Sequence, residues 1–382
     1  MIILDAPYVS DFLKGSIKRQ NFAVLDTDRA RALAGDDLNY VSAREFTDLS
    51  EQRVYTNSEN ALEDVAKLLG HTDIPRQVEA CKDKVRFREL TASLFPDYFF
   101  CRATLEELDA MDPARLCFPL VVKPARGFFS LGVHMVEQAE DWAGALASLR
   151  GEITDFNANY PTDVVDSGSF IVEQAAAGEE YAVDVYWDHE GKAVVLNVLH
   201  HIFSSGDDVS DRLYLTSSAI MRENLERFSA LMQDIGEACG FRDFPAHIEL
   251  RLAEDGTIIP IEANPLRFAG WCVADMTHMA WGFDPYEYYL NNLHPDWDDI
   301  LPSREGRIYS LCLADLPSSL DRQAITEVDW DGVADMFEEV LELRKIDYSE
   351  FPVLAFVFSA TSQKNSMLLD AALRADFTRF VK

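Results

Sequence analysis

The chain is short of positive charge: its 382 residues carry 34 Lys+Arg against 66 Asp+Glu, a net charge of −32. A field of that sign repels phosphate backbones and anionic lipid headgroups, which argues against nucleic-acid and membrane partners. Long apolar runs are absent, and nothing approaches the roughly 20 residues that cross a bilayer. The opening MIILDAP lacks a basic flank followed by an extended apolar region, so no signal peptide is expected and a cytoplasmic location is. Cysteine is sparse, and the six present show no CxxC pairing, which predicts buried free thiols rather than a disulfide framework or a zinc site. Also missing are the GxxxxGK[ST] phosphate loop, the GxGxxG dinucleotide fingerprint, internal repeats and low-complexity segments.

What remains is a chain with material for two or three cores, since 48% of its residues are hydrophobic and 11% aromatic. Short apolar runs (IILDA, FAVLD, RVYTN) alternate with helical patterns up to about residue 73, the rhythm of a parallel α/β unit. Ser58 is placed to cap a helix that Gly70 closes, and KDKVRFRELTASL predicts a second helix over 82–94. CFPLVVKP, ARGFFSLG and VHMV read as strand, glycine loop and strand. FIVEQ, EYAVDVYW and AVVLNVLHHIF read as strands, followed by a helix over about 224–239. Asp284 before Pro285 marks a further helix start. RIYSLCLA, VLAFVFSA and a last helix complete the tail.

The segment AHIELRLAEDGTIIPIEANP carries the most chemistry. Asp255-Gly256 favours a two-residue type I′ turn. That turn pairs residues whose numbers sum to 511, setting Glu249 opposite Glu262 and His247 opposite Asn264. Ile248, Leu250 and Leu252, with Ile259 and Ile261 on the second strand, then fall on the opposite, core-facing side. Like charges directly opposed on a sheet repel, so a solvent-facing acidic surface and a cation site are the two readings. Carboxylate and amide oxygens suit magnesium, which makes Glu249, Glu262 and Asn264 candidate ligands and His247 a candidate orienting neighbour. Lys123 ends an apolar strand before a loop with Gly127, Ser130 and Gly132. Such a loop lets backbone N–H groups approach phosphates, although a simply exposed lysine is the alternative.

Taken in order, DKVRFREL, PLVVKPARGFFSLGV, VEQAAAGEEYAVDV and HIELRL…IIPIEANP resemble the ATP-grasp superfamily over roughly residues 75–290. The resemblance implies an α/β (α+β) fold with an N-terminal parallel α/β domain (1–78), a small lobe with a phosphate flap (79–170) and a large lobe with the metal site (171–300). A C-terminal α/β extension (301–382) would pack on the large lobe, and ATP would lie between the lobes. By position, the resemblance points to Lys84 and Lys123 as phosphate contacts, with Lys82 the competitor of Lys84. It makes 126–132 the flap, with Ser130 and Gly132 at the phosphates. Glu173, Gln174 and Ala176 fall in the hinge whose backbone reads adenine, and Glu180 matches the acid that holds the ribose hydroxyls. Glu249, Glu262 and Asn264 match the metal ligands. Arg267 is the candidate catalytic residue for the transferring phosphoryl group, although Leu266 interrupts the family's Asn-Pro-Arg run.

The activity implied is carboxylate–amine ligation through an acyl phosphate, releasing ADP and phosphate. ATP and Mg2+ (or Mn2+) would be required, and a small amino-acid or peptide-like carboxylate and an amine would be the substrates. A phosphotransferase or dikinase on the same fold, and a non-catalytic nucleotide-binding regulator, are the alternatives; homodimerisation is left open. His200 and His201 are read mainly as strand residues, and Asp207, Asp208 and Arg212 as an acceptor-side loop or a solvated one. Trp271, Met279 and Trp281 have the spacing of core residues.

Overall fold

The computed structural model describes residues 1–49, 52–127, 132–159, 168–204 and 211–382. Near the N-terminus, β1 (Ile2–Ile3), β2 (Val24–Leu25), β3 (Tyr40–Val41) and β4 (Tyr55–Thr56) form a parallel sheet in the order β3-β2-β1-β4. The half-buried edge strand β3 carries no strong apolar run, which is why the sequence pattern does not reveal it. The two directions of this sheet part between β1 and β4, and the chain leaving β4 carries Asn57, Ser58 and Glu59. Crevices at such switch points are where open α/β sheets bind ligands.

A second, antiparallel sheet contains β5 (Phe100–Ala103), β6 (Leu120–Pro124), β7 (His134–Val136) and β8 (Phe170–Gln174), ordered β5-β8-β6-β7. The third has eight strands: β9 (Glu179–Trp187), β10 (Ala193–Ile202), β11 (Leu213–Ser217), β12 (Phe244–Leu252), β13 (Ile258–Pro265), β14 (Arg307–Asp315), β15 (Val340–Lys345) and β16 (Val353–Ser362). Their order is β13-β12-β9-β10-β11-β14-β16-β15, so the C-terminal strands continue the sheet that carries the acidic hairpin. A helix over Ser218–Cys239 buries Phe228, Met232 and Ile235, and its Met232 carbonyl accepts from Trp187 Nε1 at 2.8 Å. It begins six residues before the predicted start because Ser217 caps it, the side chain accepting from the Ile220 N–H.

Local chemistry corrects two other helix readings. The expected helix over 82–94 is broken at Asp83, which ends one helix (Ile74–Lys82) and caps the next (Lys84–Thr91) by accepting from the Arg86 N–H. Ser58 caps a 3-10 turn over Glu59–Ala61 rather than the α-helix, which runs Leu62–Leu69. Asp284 caps its helix as the sequence implies, accepting from the N–H groups of Tyr286 and Glu287. The cysteines are all free, and no described helix is long and apolar enough to cross a membrane.

Candidate active site

Glu249 on β12 is paired with Glu262 on β13, and His247 with Asn264, as the count from the turn requires. The turn itself differs. Ala253 pairs with Thr257 through its N–H to the Thr257 carbonyl at 2.9 Å, which leaves Glu254, Asp255 and Gly256 as a three-residue loop with Gly256 at φ +87°. Near the loop, pairs sum to 510 (Leu250↔Pro260, Arg251↔Ile259). The register regains 511 only because Ile261 is skipped as a β-bulge between Pro260 and Glu262. The bulge therefore sets both acids opposite each other. It also turns Pro260 to the core and moves Ile259 onto the face of its partner Arg251, correcting the expected placement of Ile259.

That face is not an open wet surface. The Glu249 and Glu262 side chains keep only 27% and 33% of their exposure. Burial, and then the facing Glu262, push the Glu249 carboxyl up to about 8. Burial also works against Glu262, but Lys84 and then Lys123 outweigh it and hold that carboxyl below the ordinary range. Lys84 Nζ stands 3.3 Å from Glu262 Oε1. Asn264 donates through Nδ2 to Glu249 Oε1 at 3.2 Å, leaving its amide oxygen for another partner. Behind them, His247 donates from Nδ1 to Asp184 Oδ1 at 2.8 Å and turns Nε2 toward Glu249 Oε1 at 3.8 Å.

Lys123 is buried at 8% exposure, which disposes of the exposed-lysine reading. Its ammonium lies 2.8 Å from Glu173 Oε1 and donates to the carbonyl of the bulged Ile261 at 3.2 Å. Among the described residues, two of its three N–H donors are thus engaged and one is left for the site. Glu173 Oε2 accepts from Arg88 Nε at 2.7 Å, so the Glu173 side chain serves as counter-ion to two cations. The next residues form the hinge between the second and third sheets. The Gln174 and Ala175 N–H groups are used by Phe99 and Pro119 carbonyls, and Tyr98 donates to the Gln174 carbonyl. Ala176 makes no hydrogen bond among the described residues. Gly178, at φ +103°, then passes so near β12 that a Cβ would sit 2.0 Å from the Leu252 carbonyl oxygen.

The contact between Lys82 and Glu59 separates Lys82 from Lys84: Lys82 faces Glu59, and Lys84 faces the paired acids. Glu59, which sequence reasoning missed, also receives Arg267 Nη2 at 2.9 Å. Leu266 is at φ +56°, and its carbonyl accepts from the Thr56 N–H at 2.7 Å. The residue that interrupts the Asn-Pro-Arg run thus turns the chain and ties it to β4, bringing Arg267 to Glu59. Glu180 is buried and held by His201 Nδ1 and Arg251 Nη2, both at 2.7 Å. Gly132 lies at φ +72° against Pro124. Ser130, Asp207 and Asp208 lie outside the described residues. Arg212 is turned away, donating to the Leu373 and Ala375 carbonyls. Trp281 is core, but Trp271 and Met279 are only half-buried, and Trp271 stacks against Tyr8.

Among the described residues there is no cluster of three or more His, Cys, Asp and Glu arranged for a metal. Two carboxylates and an amide are instead the oxygen set that magnesium takes when phosphates complete its shell, and the raised Glu249 carboxyl is what a cation would relieve.

Residues 116–275 match the family model of the ATP-grasp domain. The chain carries an ATP-grasp domain. The matched stretch runs from the approach to β6 past β13 and includes the hinge and every proposed metal ligand. No curated protein matches in sequence. Among solved structures, the chain is similar to an L-amino acid ligase from Bacillus licheniformis, with 18% identity, TM-score 0.70, and 100% of this chain and 97% of that one covered. An N5-carboxyaminoimidazole ribonucleotide synthetase from Thermotoga maritima aligns with 16% identity, TM-score 0.65, and 100% and 98% coverage. A biotin carboxylase from Campylobacter jejuni aligns with 12% identity, TM-score 0.65, and 94% and 87% coverage. At these identities the likeness concerns the fold: a parallel α/β unit, a small antiparallel sheet and a large one, joined as in ATP-grasp proteins.

Proposed function

We propose that the protein is an ATP- and magnesium-dependent ligase that phosphorylates a carboxylate and joins it to an amine. The observation that carries this reading is the pair Glu249–Glu262 with Asn264 bonded to Glu249, Lys84 and Lys123 beside Glu262, and Arg267 joined to Lys82 through Glu59. Phosphoryl transfer asks a protein for positioning and charge neutralisation, and this is that set of groups.

Lys123 offers its remaining N–H to the triphosphate, its charge oriented by Glu173 and its position by the Ile261 carbonyl. Lys84, at the first turn of its helix, balances Glu262 and lies close enough to meet a phosphate oxygen. Glu249, Glu262 and Asn264 would hold Mg2+, which neutralises the phosphate oxygens when bound. Arg267 spends one N–H on Glu59 and one on the Phe268 carbonyl, so among the described residues three of its five donors are left for a ligand. A substrate carboxylate oxygen attacks the γ-phosphorus as the bond to the β,γ-bridging oxygen breaks, and ADP departs. The amine nitrogen then attacks the acyl carbon, loses a proton, and phosphate leaves with the oxygen that came from the carboxylate. Full-length overlap with a protein named an L-amino acid ligase supports an amino-acid or peptide-like carboxylate as substrate.

The test is interception of the acyl phosphate. With ATP, magnesium and the correct carboxylate, hydroxylamine should yield a hydroxamate without any amine substrate, and 18O in the carboxylate should appear in released phosphate. A screen of amino acids and small acids that consumes ATP but gives neither product would replace ligation with plain phosphotransfer.

A further inference from the structure

Arg251, the ion-pair partner of Glu180, has no part in the phosphate or metal groups above, yet it projects from the face of β12 that carries His247 and Glu249. Across from it on β9, Glu180 pairs with Arg251, Ala182 with Glu249, and Asp184 with His247. Two residues of strand separate Arg251 from Glu249, roughly 7 Å along β12. That step leads away from the paired acids toward the hinge, because Gly178 and Glu179 adjoin Leu252. If the triphosphate lies at Glu249 and Lys123, the sugar of a bound nucleotide falls beside Arg251.

The contacts there are specific. Arg251 Nη2 binds Glu180 Oε2 at 2.7 Å, Nη1 donates to the Gly178 carbonyl at 3.1 Å, and the guanidinium lies 5.2 Å from the centre of the Phe203 ring. The other carboxylate oxygen, Oε1, accepts from His201 Nδ1 at 2.7 Å, and the His201 ring stacks on Tyr214 and contacts Phe203 at a tilt. Burying a carboxylate is costly unless donors of this kind meet it. Among the described residues Oε1 has the His201 hydrogen bond and Oε2 the Arg251 ion pair, which leaves each a second lone pair, directed by a frame that neither residue could provide alone.

We propose that Arg251 is a positioning residue for nucleotide selection: by clamping Glu180 Oε2 and the Gly178 carbonyl together, it aims the two remaining carboxylate lone pairs at the vicinal hydroxyls of a ribonucleotide. This rests on the reading of Glu180 as the ribose acid. The outcome is discrimination between nucleotides with and without the two ribose hydroxyls, set by a residue that need not touch the sugar itself. A merely structural arginine would instead support β9 and β12 and affect all nucleotides alike.

The experiment is calorimetric titration of the full chain with ADP and with 2′,3′-dideoxy-ADP, each with magnesium, for the wild type, Arg251→Gln and Arg251→Lys. Two hydroxyl bonds to a charged acceptor should make the wild type prefer ADP by about tenfold or more. In Arg251→Gln the preference should fall to within about threefold, ADP weakening while the dideoxy compound is nearly unchanged. Arg251→Lys, which restores the charge on Glu180 but cannot span to Gly178, should recover only part of it. Equal weakening of both nucleotides with an intact preference would overturn the proposal and leave Arg251 a sheet support. An unchanged preference at unchanged affinity overturns it too, while keeping Glu180 at the ribose. A wild type without preference removes the ribose role of Glu180, and with it this proposal, but leaves the ligase reading to the hydroxamate test. Arg251 is partly exposed, and circular dichroism of both variants establishes that they are folded.

Discussion

Glu59 Oε1 lies 2.9 Å from Arg267 Nη2 across 208 residues of chain, and its other oxygen contacts Lys82. A carboxylate from the 3-10 turn after β4 thereby holds two cations, one of them just past the end of the acidic hairpin. Burial opposes its charge, but Arg267 and Lys82 prevail and bring its carboxyl down to about 2. A depressed acid contributes stability that is complete above its unfolded value near 4.5 and disappears as the pH falls through about 2.

Glu59→Gln should therefore lower the unfolding free energy by about 1–3 kcal/mol at neutral pH. The difference from wild type should shrink between pH 4.5 and 2. Urea unfolding at a series of pH values measures it. A gap that stays constant over that window would mean the ion pairs carry no linked stability.

The paired acids should respond in opposite directions. Glu249 has its carboxyl raised to about 8, so the metal-free fold loses stability as the pH climbs from about 4.5 through 8. In EDTA, Glu249→Gln should match the wild type near pH 5 and exceed it by about 1–2 kcal/mol near pH 9. Glu262→Gln removes the partner of Lys84 and should be less stable than wild type at neutral pH. Both variants should lose ATP turnover. Turnover retained by either one would remove that residue from the metal site.

Lys123→Ala should weaken nucleotide triphosphate binding by roughly 10- to 150-fold, the value of a charge-assisted contact of about 1.5–3 kcal/mol. Binding of a nonhydrolysable ATP analogue to the folded variant is the measurement. Affinity within twofold of wild type would confine Lys123 to its ion pair with Glu173.

Gly178→Ala should destabilise the protein by more than about 2 kcal/mol, since the residue sits at positive φ and a Cβ would strike the Leu252 carbonyl. Thermal unfolding reads it. A small effect would show that β9 and β12 separate readily at the hinge.

How far residues alone reveal the site depends on the range over which each is determined. The acids of the hairpin were legible because strand alternation has a period of two and Asp255-Gly256 marks the turn. Even so, the loop holds three residues, and a bulge at Ile261 restores the pairing. The resemblance named Lys84 without separating it from Lys82, because the break at Asp83 that points them apart depends on a cap formed in the fold. Trp271 has core spacing, yet it is only half-buried and packs against Tyr8, 263 residues earlier.

By itself, the sequence determined the alternation of strands and helices, the family likeness of the ATP-grasp segment, and the shared face of His247 and Glu249. These follow from contacts between near neighbours and from backbone periodicity. Only the tertiary structure decided that Glu59 meets Arg267, that Glu173 rather than solvent balances Lys123, and that His201 and Arg251 converge on Glu180. Each of these is an ion pair or a charged hydrogen bond between distant strands or helices. Its geometry is set by how the sheets pack, and no local pattern encodes which buried charge will find which partner.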